Sequence, residues 1–355
     1  MSLLAAAAVV TALVGVPAGA TAPPPGSIPP GTHVQVLDRQ IGIVAVELRR
    51  AGSAAALTRL RHAAGVRYVT VPAPASGGLA SGCTFKTPSP SAARTATTWR
   101  KTIALTTHSA RGFTVGIPDT GADLGRLGGV HDRLIFRNFT VSSGVGDTID
   151  HGTEIASLIG GNRPDLKIKG VAPDVGLAIA RIATTNNCDP GTLARNLIYA
   201  FSWFRKIGDV QIVNVSLTLK PDPALIESLH ALQQSGTLVV AATGNDPTPG
   251  ETTFPASEPH VIAVGALGSG KRKIYANSGR GSFVDLVAPG AGSGVIISGE
   301  VSQTQQTSVT PDGTSFAAPL VSGAAALVWA RHPAWDASRV AAALMLSASH
   351  ISGPR

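Results

Sequence analysis

The sequence is short of the residues that build metal centres and disulfide networks. Its 355 residues include only two cysteines, Cys83 and Cys188, and no cluster of metal-ligating side chains. A structural zinc site needs about four ligands, so neither a metal nor another cofactor is predicted. In an exported protein, two cysteines favour one disulfide bond, Cys83–Cys188, with two unpaired thiols as the alternative.

Charged residues are also scarce, and their distribution excludes one class of partner. Only 14% of the residues are charged, and the net charge is +8. Residues 1–98 hold eight basic and two acidic side chains, whereas the other 257 residues hold 21 and 19. A nucleic-acid-binding domain concentrates basic charge on its working surface. The excess lies instead in a segment that is interpreted below as removable, so no nucleic-acid partner is predicted.

Long apolar runs are absent except at the N terminus. Residues 1–20, MSLLAAAAVVTALVGVPAGA, carry no charged side chain and end in small residues. This pattern predicts a signal peptide that is cleaved after Ala20, and therefore a secreted, extracellular protein. Because no basic residue precedes the run, an uncleaved membrane anchor is the alternative, although the run is short for a spanning helix.

The rest of the chain divides at two linkers, residues 21–32, which are Pro-rich, and residues 74–98. Between them, residues 33–73 are predicted to form strand, strand, helix and strand, a small α+β unit that needs a partner to pack on. Residues 99–355 alternate apolar strands with amphipathic helices, which predicts an α/β fold with a mostly parallel sheet covered on both faces. The predicted strands are residues 113–118, 176–182, 209–217, 236–243, 260–266 and 283–289, and the predicted helices are residues 153–159, 191–205, 222–234, 316–331 and 336–347. Functional groups in such a sheet gather at the carboxyl ends of the strands.

Four polar residues lie at the predicted strand ends and helix starts of that sheet. Asp119 ends FTVGIPD, His151 begins HGTEIASLI, Asn245 follows VVAATG, and Ser315 begins SFAAPLVSGAAAL. Each residue also has an ordinary structural explanation, such as a helix N-cap for Ser315. Together they supply a serine nucleophile, a histidine base, a carboxylate that orients the base and an amide donor for an oxyanion.

The segments around these residues resemble the signature segments of the subtilisin-like serine proteases. They are IPDTGAD, DHGTEIA, VVAATGN and DGTSFAAPLVSGAAAL, in the family's order Asp, His, Asn, Ser. The resemblance covers about residues 99–350 and implies a largely parallel seven-stranded sheet with helices on both faces. It also implies peptide-bond hydrolysis through an acyl-enzyme formed by Asp119, His151 and Ser315, with Asn245 in the oxyanion hole.

The resemblance implies partners as well. SAAALTRLRHAAGVRYVTVPAP, in the small α+β unit, resembles the end of inhibitory propeptides, which implies that the chain is a zymogen. The excess of basic charge in residues 1–98 would suit docking of this pro-segment on helices of opposite charge. Protein or peptide substrates would add as a strand along Ser216, Leu217 and Thr218, with Thr243 and Gly244 on the other wall. Thr218 stands where glycine is common and would narrow the pocket. Calcium is often bound in the family, but no ligand is assigned here, and a monomer is expected.

Two departures from the family pattern bear on catalysis. Pro118 precedes Asp119 and cannot donate to a sheet ladder. Glu154 lies one helical turn after His151, where its charge would raise the His151 pKa unless it faces solvent.

A catalytically silent binding protein, favoured only by Pro118, and a hydrolase of esters or small amides are the alternative functions. Residues 265–272, GALGSGKR, lack the Ser or Thr of a phosphate-binding loop, so no nucleotide is predicted.

Overall fold

A computed structural model describes most of the chain. Cys83, Cys188 and the predicted linker 74–98 lie outside the described residues, so the disulfide bond remains a prediction. The described ranges are 9–49, 52–71, 109–128, 134–142, 146–163, 168–184, 189–248, 253–268, 273–290 and 312–351.

The N-terminal unit is a four-stranded antiparallel sheet with one helix. The strands are β1 (Val9–Gly15), β2 (His33–Asp38), β3 (Ile43–Arg49) and β4 (Tyr68–Thr70), and helix α1 (Ser53–Arg61) follows β3. Their order in the sheet is β2-β3-β1-β4. The elements predicted within residues 33–73 are confirmed, whereas β1 lies in the segment that was interpreted as a signal peptide.

Strand β1 is apolar on both faces, which explains why it resembles a signal peptide. Ala12 and Val14 lie in the core of the N-terminal unit, whereas Leu13 lies in the core that this unit shares with the larger one. A strand buried on both faces forms a continuous apolar run, and so does the hydrophobic part of a signal peptide. Cleavage after Ala20 would remove β1 from between β3 and β4. Cleavage after Ala20 therefore stays a prediction, and it would leave the N-terminal sheet without its third strand in spatial order.

The larger unit contains a seven-stranded sheet in which all neighbouring strands are parallel. The seven strands are β5 (Thr114–Asp119), β6 (Leu134–Asn138), β9 (Gly176–Arg181), β10 (Ile212–Val215), β11 (Leu238–Ala242), β12 (Val261–Leu267) and β13 (Leu286–Pro289). Their order in the sheet is β13-β12-β11-β10-β5-β9-β6, and β7 (Asn162–Arg163) pairs separately with β8 (Ile168–Lys169). The sequence predicted every strand of the large sheet except β6, which is short and partly exposed.

Helices cover both faces of this sheet, as predicted. The helices are α2 (Leu124–Leu127), α3 (His151–Gly160), α4 (Pro190–Ile207), α5 (Pro223–Gln234), α6 (Thr314–Arg331) and α7 (Ala337–Ser347). All of these helices except the four-residue α2 were predicted from the sequence. In β9, Ala178 and Ala180 face the core beneath α4 and α5, whereas Leu177 and Ile179 face the core beneath α3, α6 and α7.

The strand order reverses between β5 and β10. From β5 the chain first adds β6 and β9 on one side of the sheet, and then β10 to β13 on the other. Ligands of open α/β sheets bind in the crevice at the carboxyl ends of the strands at such a point. Asp119 ends β5 and Ser216 follows β10, so both lie at this crevice.

The two units pack together through α4 and α5, and the ion pairs between them have mixed polarity. Two of the three pairs join an acid of the N-terminal unit to an arginine of α4, and the third joins an arginine to a glutamate of α5. The prediction that a basic pro-segment docks on helices of opposite charge is therefore wrong for α4, because α4 contributes the basic residue to both of its ion pairs. Among the described residues, the three pairs are Asp38–Arg205, Glu47–Arg195 at 2.9 Å and Arg67–Glu227 at 2.6 Å. Within the described ranges, no helix is long and apolar enough to cross a membrane.

Candidate active site

Asp119 is fully buried at the end of β5. Its Oδ1 accepts a hydrogen bond from the Thr120 N–H at 2.7 Å and lies 2.8 Å from Nδ1 of His151. Its Oδ2 has no hydrogen-bond donor among the described residues. The carboxylate is therefore held in one orientation, with one oxygen directed at the imidazole.

Pro118 does not disturb this arrangement. The carbonyls of Phe113 and Asp119 accept hydrogen bonds from β9, so alternate residues of β5 between them face β9 and Pro118 faces β10. Pairing of β5 with β10 ends at Gly116. Pro118 therefore lacks its N–H at a position where no hydrogen bond to β10 is made. Although Pro118 was the only sequence feature that favoured a catalytically silent protein, it leaves Asp119 in contact with His151.

His151 begins α3, and its side chain is only 13% exposed. Because Nδ1 contacts Asp119, Nε2 is the nitrogen that can exchange a proton with another group. The imidazole packs edge-on against the ring of Phe316, with 5.7 Å between the ring centroids. Phe316 follows Ser315 in the chain, so His151 lies beside the start of α6.

Close backbone packing holds the start of α3 against the end of β5. A Cβ atom at Gly152 would lie 2.2 Å from the carbonyl oxygen of Gly121, so only glycine fits after His151. The Gly152 N–H donates to Oγ1 of Thr120 at 2.8 Å. This contact ties the histidine segment to the aspartate segment.

Asp147, which the sequence interpretation missed, fixes the turn before α3. Its Oδ1 accepts from the backbone N–H groups of Ile149 and Asp150 at 2.9 and 3.0 Å. Its Oδ2 accepts from the N–H and the hydroxyl of Thr153 at 2.9 and 2.8 Å. An aspartate shortly before a predicted helix, with Thr in the first turn, is the signal that indicates this turn.

The charges around His151 raise its pKa above the ordinary value. Burial of the ring lowers the pKa, but the charge of Asp119 and the hydrogen bond to it act in the opposite direction, and so do the charges of Glu154 and Asp147. Glu154 is only 5% exposed. Of the two alternatives for Glu154, the structure confirms a buried carboxylate that raises the pKa of His151.

Ser315 is the second residue of α6 and is buried. The helix has Gly313 at its N-cap and no capping side chain, so the alternative of Ser315 as an N-cap is wrong. The Ser315 hydroxyl donates to the carbonyl oxygen of Ser216 at 3.0 Å. In return, the Ser216 hydroxyl donates to the Ser315 carbonyl at 2.8 Å. That carbonyl lacks its helical donor because the residue four positions later is Pro319.

Two further buried residues connect to Ser216 through hydrogen bonds. The Ser322 hydroxyl donates to Oδ1 of Asn214 at 2.9 Å, and Nδ2 of Asn214 donates to Oγ of Ser216 at 2.9 Å. Both Asn214 and Ser322 are fully buried. A hydrogen-bonded chain from α6 through β10 thus fixes the Ser216 hydroxyl, and through it the backbone of Ser315.

Asn245 follows β11, and its amide has a defined orientation. Its Oδ1 accepts from the N–H of Thr314 at 2.9 Å and from the Thr314 hydroxyl at 3.2 Å. Nδ2 therefore remains as the donor. A Cβ atom at Gly313 would lie 2.9 Å from Nδ2, so glycine leaves room for this amide. The N–H of Ser315, in the first helical turn where no intrahelical acceptor exists, is a second donor at the same helix start.

The five residues predicted to contact substrate all follow β10 or β11, and all are buried. Gly244 has φ +88°, a conformation that favours glycine. The side chain of Leu217 belongs to the core beneath α4 and α5, so only its backbone is available to a substrate. Ser216 and Thr218 follow β10 and Thr243 follows β11, and their contact with a substrate stays a prediction.

No group of three or more His, Cys, Asp or Glu side chains in the described ranges is placed to hold a metal ion. The calcium binding that the family resemblance implies therefore has no such ligand group among these residues.

Comparisons with known proteins agree with this geometry. The sequence model of the subtilase family, Peptidase S8, matches residues 110–354. Subtilisin DY of Bacillus licheniformis is 30% identical over 244 residues, which are 67% of this chain and 84% of that protein. Subtilisin E of Bacillus subtilis strain 168 is 30% identical over 210 residues, or 58% of this chain, and the match spans about half, 52%, of subtilisin E.

A solved structure extends the likeness to the N-terminal unit. Fervidolysin from Fervidobacterium pennivorans, described as a keratinolytic enzyme related to subtilisin, superposes with a TM-score of 0.68. The match covers 99% of this chain and 59% of fervidolysin, at 19% sequence identity. At that identity the likeness concerns the fold alone.

Proposed function

This chain belongs to the subtilase family, and we propose that it is a serine endopeptidase with Ser315 as nucleophile, His151 as general base and Asp119 as the residue that orients the base. The proposal is supported by two contacts of the helix start that bears Ser315: Phe316 packs against the His151 ring, and the Thr314 N–H donates to Oδ1 of Asn245. The 2.8 Å contact between Asp119 and His151 joins two of the proposed catalytic groups directly.

In the acylation step, the Ser315 oxygen attacks the carbonyl carbon of the scissile peptide bond. Its proton passes to Nε2 of His151, so the hydroxyl must first turn away from the Ser216 carbonyl that it contacts in the free protein. The tetrahedral intermediate then collapses, the C–N bond breaks, and the imidazolium donates the proton to the departing amine. An ester to Ser315 remains.

The negative charge on the substrate oxygen develops beside two donors. Nδ2 of Asn245 is held in a donating orientation by Thr314, and the Ser315 N–H lies at the positive end of α6. Donors that are oriented before the reaction lower the barrier without reorganisation, and loss of one costs about 3–4 kcal/mol.

In the deacylation step, water attacks the ester and gives a proton to His151, which returns it to the Ser315 oxygen. Asp119 stabilises the imidazolium in both steps without becoming protonated. A raised pKa of His151 suits this role, because the imidazole then accepts the serine proton more readily.

We further propose that the protein is made as a zymogen and that its N-terminal unit is an intramolecular inhibitor. The unit shares an apolar core and three ion pairs with α4 and α5, next to strands whose ends carry the site. The substrates would be proteins or peptides, and the mature enzyme would be a secreted monomer.

Export and maturation are tested together by sequencing the N terminus of the secreted protein over time. A start at Thr21 supports the predicted signal cleavage. A first species that still contains β1, followed by one that has lost the N-terminal unit, supports export by another route and self-processing. Secreted Ser315→Ala protein that matures at the wild-type rate would exclude self-processing.

The catalytic proposal is tested by comparing casein hydrolysis by wild type with that by Ser315→Ala and His151→Ala. Each variant should lower kcat by about 10⁶. Parallel assays with a p-nitrophenyl ester separate a peptidase from an esterase, since a peptidase also cleaves casein. Equal casein hydrolysis by wild type and Ser315→Ala would exclude Ser315 as the nucleophile.

A further inference from the structure

Two threonine side chains close over Gly244, next to the proposed oxyanion donor Asn245. A Cβ atom built on Gly244 would lie 3.3 Å from Cγ2 of Thr218 and 3.6 Å from Cγ2 of Thr253. The exposed fractions of Thr218 and Thr253 are only 3% and 6%. Both methyl groups therefore lie within contact distance of a carbon atom placed on Gly244.

The positions of Thr218 and Thr253 beside Gly244 are fixed by hydrogen bonds. The Thr253 hydroxyl donates to the Thr243 carbonyl at 3.2 Å, which directs the methyl group of Thr253 towards Gly244. Leu219 and Phe254 exchange two backbone hydrogen bonds of 2.9 Å as an isolated antiparallel bridge. Since Thr218 precedes Leu219 and Thr253 precedes Phe254, this bridge holds the two threonines at a set spacing.

In the proposed acylation geometry, the space beside Gly244 would receive the side chain of the substrate residue on the acyl side. A carbonyl held between the Ser315 hydroxyl and Nδ2 of Asn245 lies beside Gly244, because Gly244 is the neighbour of Asn245 in the chain. The side chain on the acyl side of the scissile bond then points between the segment after β10 and the segment after β11. The methyl groups of Thr218 and Thr253 occupy that gap.

We propose that Thr218 and Thr253 determine specificity, restricting the residue on the acyl side of the scissile bond to Gly, Ala or Ser. This inference rests on the proposed peptidase function. A larger side chain would have to displace the methyl groups of Thr218 and Thr253, whose backbones are held by the bridge, and overpacking of this kind is unfavourable. Thr253 has no role in the family resemblance drawn from the sequence, and only the structure brings it against Thr218.

The test uses the full chain and peptide p-nitroanilides of the form succinyl-Ala-Ala-Pro-X, with X as Ala or Phe. The ratio of the two kcat/KM values does not depend on how much of the preparation is active. The informative variants are Thr218→Ser and Thr253→Ser, which remove the methyl group and keep the hydroxyl. Thr237→Ser, which removes a methyl group from a buried threonine before β11, is the matched control.

Wild type should prefer Ala over Phe by about 100-fold or more, in line with the discrimination that filled pockets achieve. Thr218→Ser and Thr253→Ser should each lower this ratio about tenfold, and Thr237→Ser should not change it. A wild-type enzyme that cleaves after Phe as well as after Ala would overturn the proposal while leaving the peptidase function intact. Unchanged ratios in both variants would overturn the assignment to these threonines.

A separate readout distinguishes failure of the underlying function. Reaction with a fluorophosphonate reports an activated serine without requiring any side-chain preference. A protein that neither cleaves the peptides nor forms an adduct at Ser315 would overturn the peptidase function and the specificity proposal together. An adduct at Ser315 with hydrolysis after Phe but not Ala would overturn the specificity proposal only.

Discussion

Ser216 and Ser315 are joined by two reciprocal hydrogen bonds, each hydroxyl donating to the other residue's carbonyl at 2.8 and 3.0 Å. One bond compensates for Pro319, which leaves the Ser315 carbonyl without a helical donor. The other holds the Ser315 hydroxyl until a substrate arrives. The pair therefore links the backbone geometry of α6 to the position of the proposed nucleophile.

Ser216→Ala should lower the free energy of unfolding by about 1–3 kcal/mol, because it leaves a buried carbonyl without a donor. Urea unfolding in a Ser315→Ala background, where self-cleavage cannot interfere, measures this change. Pro319→Ala restores a backbone N–H to the Ser315 carbonyl, so Ser216→Ala should cost less when the two changes are combined. Strict additivity would show that the Ser216 hydroxyl does not replace the missing helical bond.

Glu154→Gln should shift the pH dependence of kcat/KM to lower pH. The His151 pKa is raised above 6.5 in part by the Glu154 charge, so the wild-type ring stays protonated to higher pH and activity rises with a midpoint above that value. Removing the charge lowers the pKa, and the active, neutral imidazole then forms at lower pH. Glu258→Gln is the control, because Glu258 is not among the groups that shift His151. An unchanged midpoint in Glu154→Gln would contradict the assignment.

Gly152→Ala should lower kcat/KM by about 10² or more. The added methyl group would meet the Gly121 carbonyl at 2.2 Å, and the start of α3 would have to move His151 away from Asp119. Displacements of about 1 Å at a catalytic group cost rates of this order. Gly146→Ala, at a glycine with no heavy atom within 4 Å of the added Cβ, should leave activity unchanged. Equal effects of the two variants would mean that the contact with Gly121 does not position the histidine.

Arg205→Met should loosen the N-terminal unit much more than Arg195→Met. The carboxylate of Asp38 is almost completely buried against Arg205, whereas Glu47 is partly exposed beside Arg195. A buried charge that loses its partner costs about 3–5 kcal/mol, and a more exposed pair contributes about 0–1 kcal/mol. Hydrogen exchange of the β2 amides, in the Ser315→Ala background, reports the free energy of opening. Asp38→Asn combined with Arg205→Met should recover part of the loss, and a purely additive result would contradict a direct coupling.

The sequence predicts much of the fold because the sheet is buried on both faces. Strands β5, β9, β10, β11 and β12 are continuous apolar runs that alternate along the chain with amphipathic helices. This pattern is typical of parallel strands that are buried on both faces. The same rule does not decide between two interpretations at β1, because an apolar strand that is buried on both faces has the composition of a signal peptide. Strand β6 escapes prediction for the opposite reason, since an edge strand needs no continuous apolar run.

The site is only partly predictable, because some of its contacts come from residues that are distant in the chain. Asp119, His151, Asn245 and Ser315 are recognisable because each stands at a strand end or helix start in a distinctive segment. The support of Ser216 by Asn214 and Ser322 is not recognisable, since a small polar residue in an apolar strand or helix carries no sign of its partner. The proposed role of Thr253 is likewise not recognisable, since the backbone bridge between Leu219 and Phe254 brings it close to Thr218, which is distant in the chain.

The central claim is that Ser315 is an activated nucleophile. Intact-mass spectrometry after fluorophosphonate treatment of the full chain, beside Ser315→Ala as the control, tests it most directly. The account predicts one adduct in the wild-type protein, located at Ser315 by peptide mapping, and none in the variant. A folded protein freed of its N-terminal unit that forms no adduct, or an adduct that persists in Ser315→Ala, would contradict it.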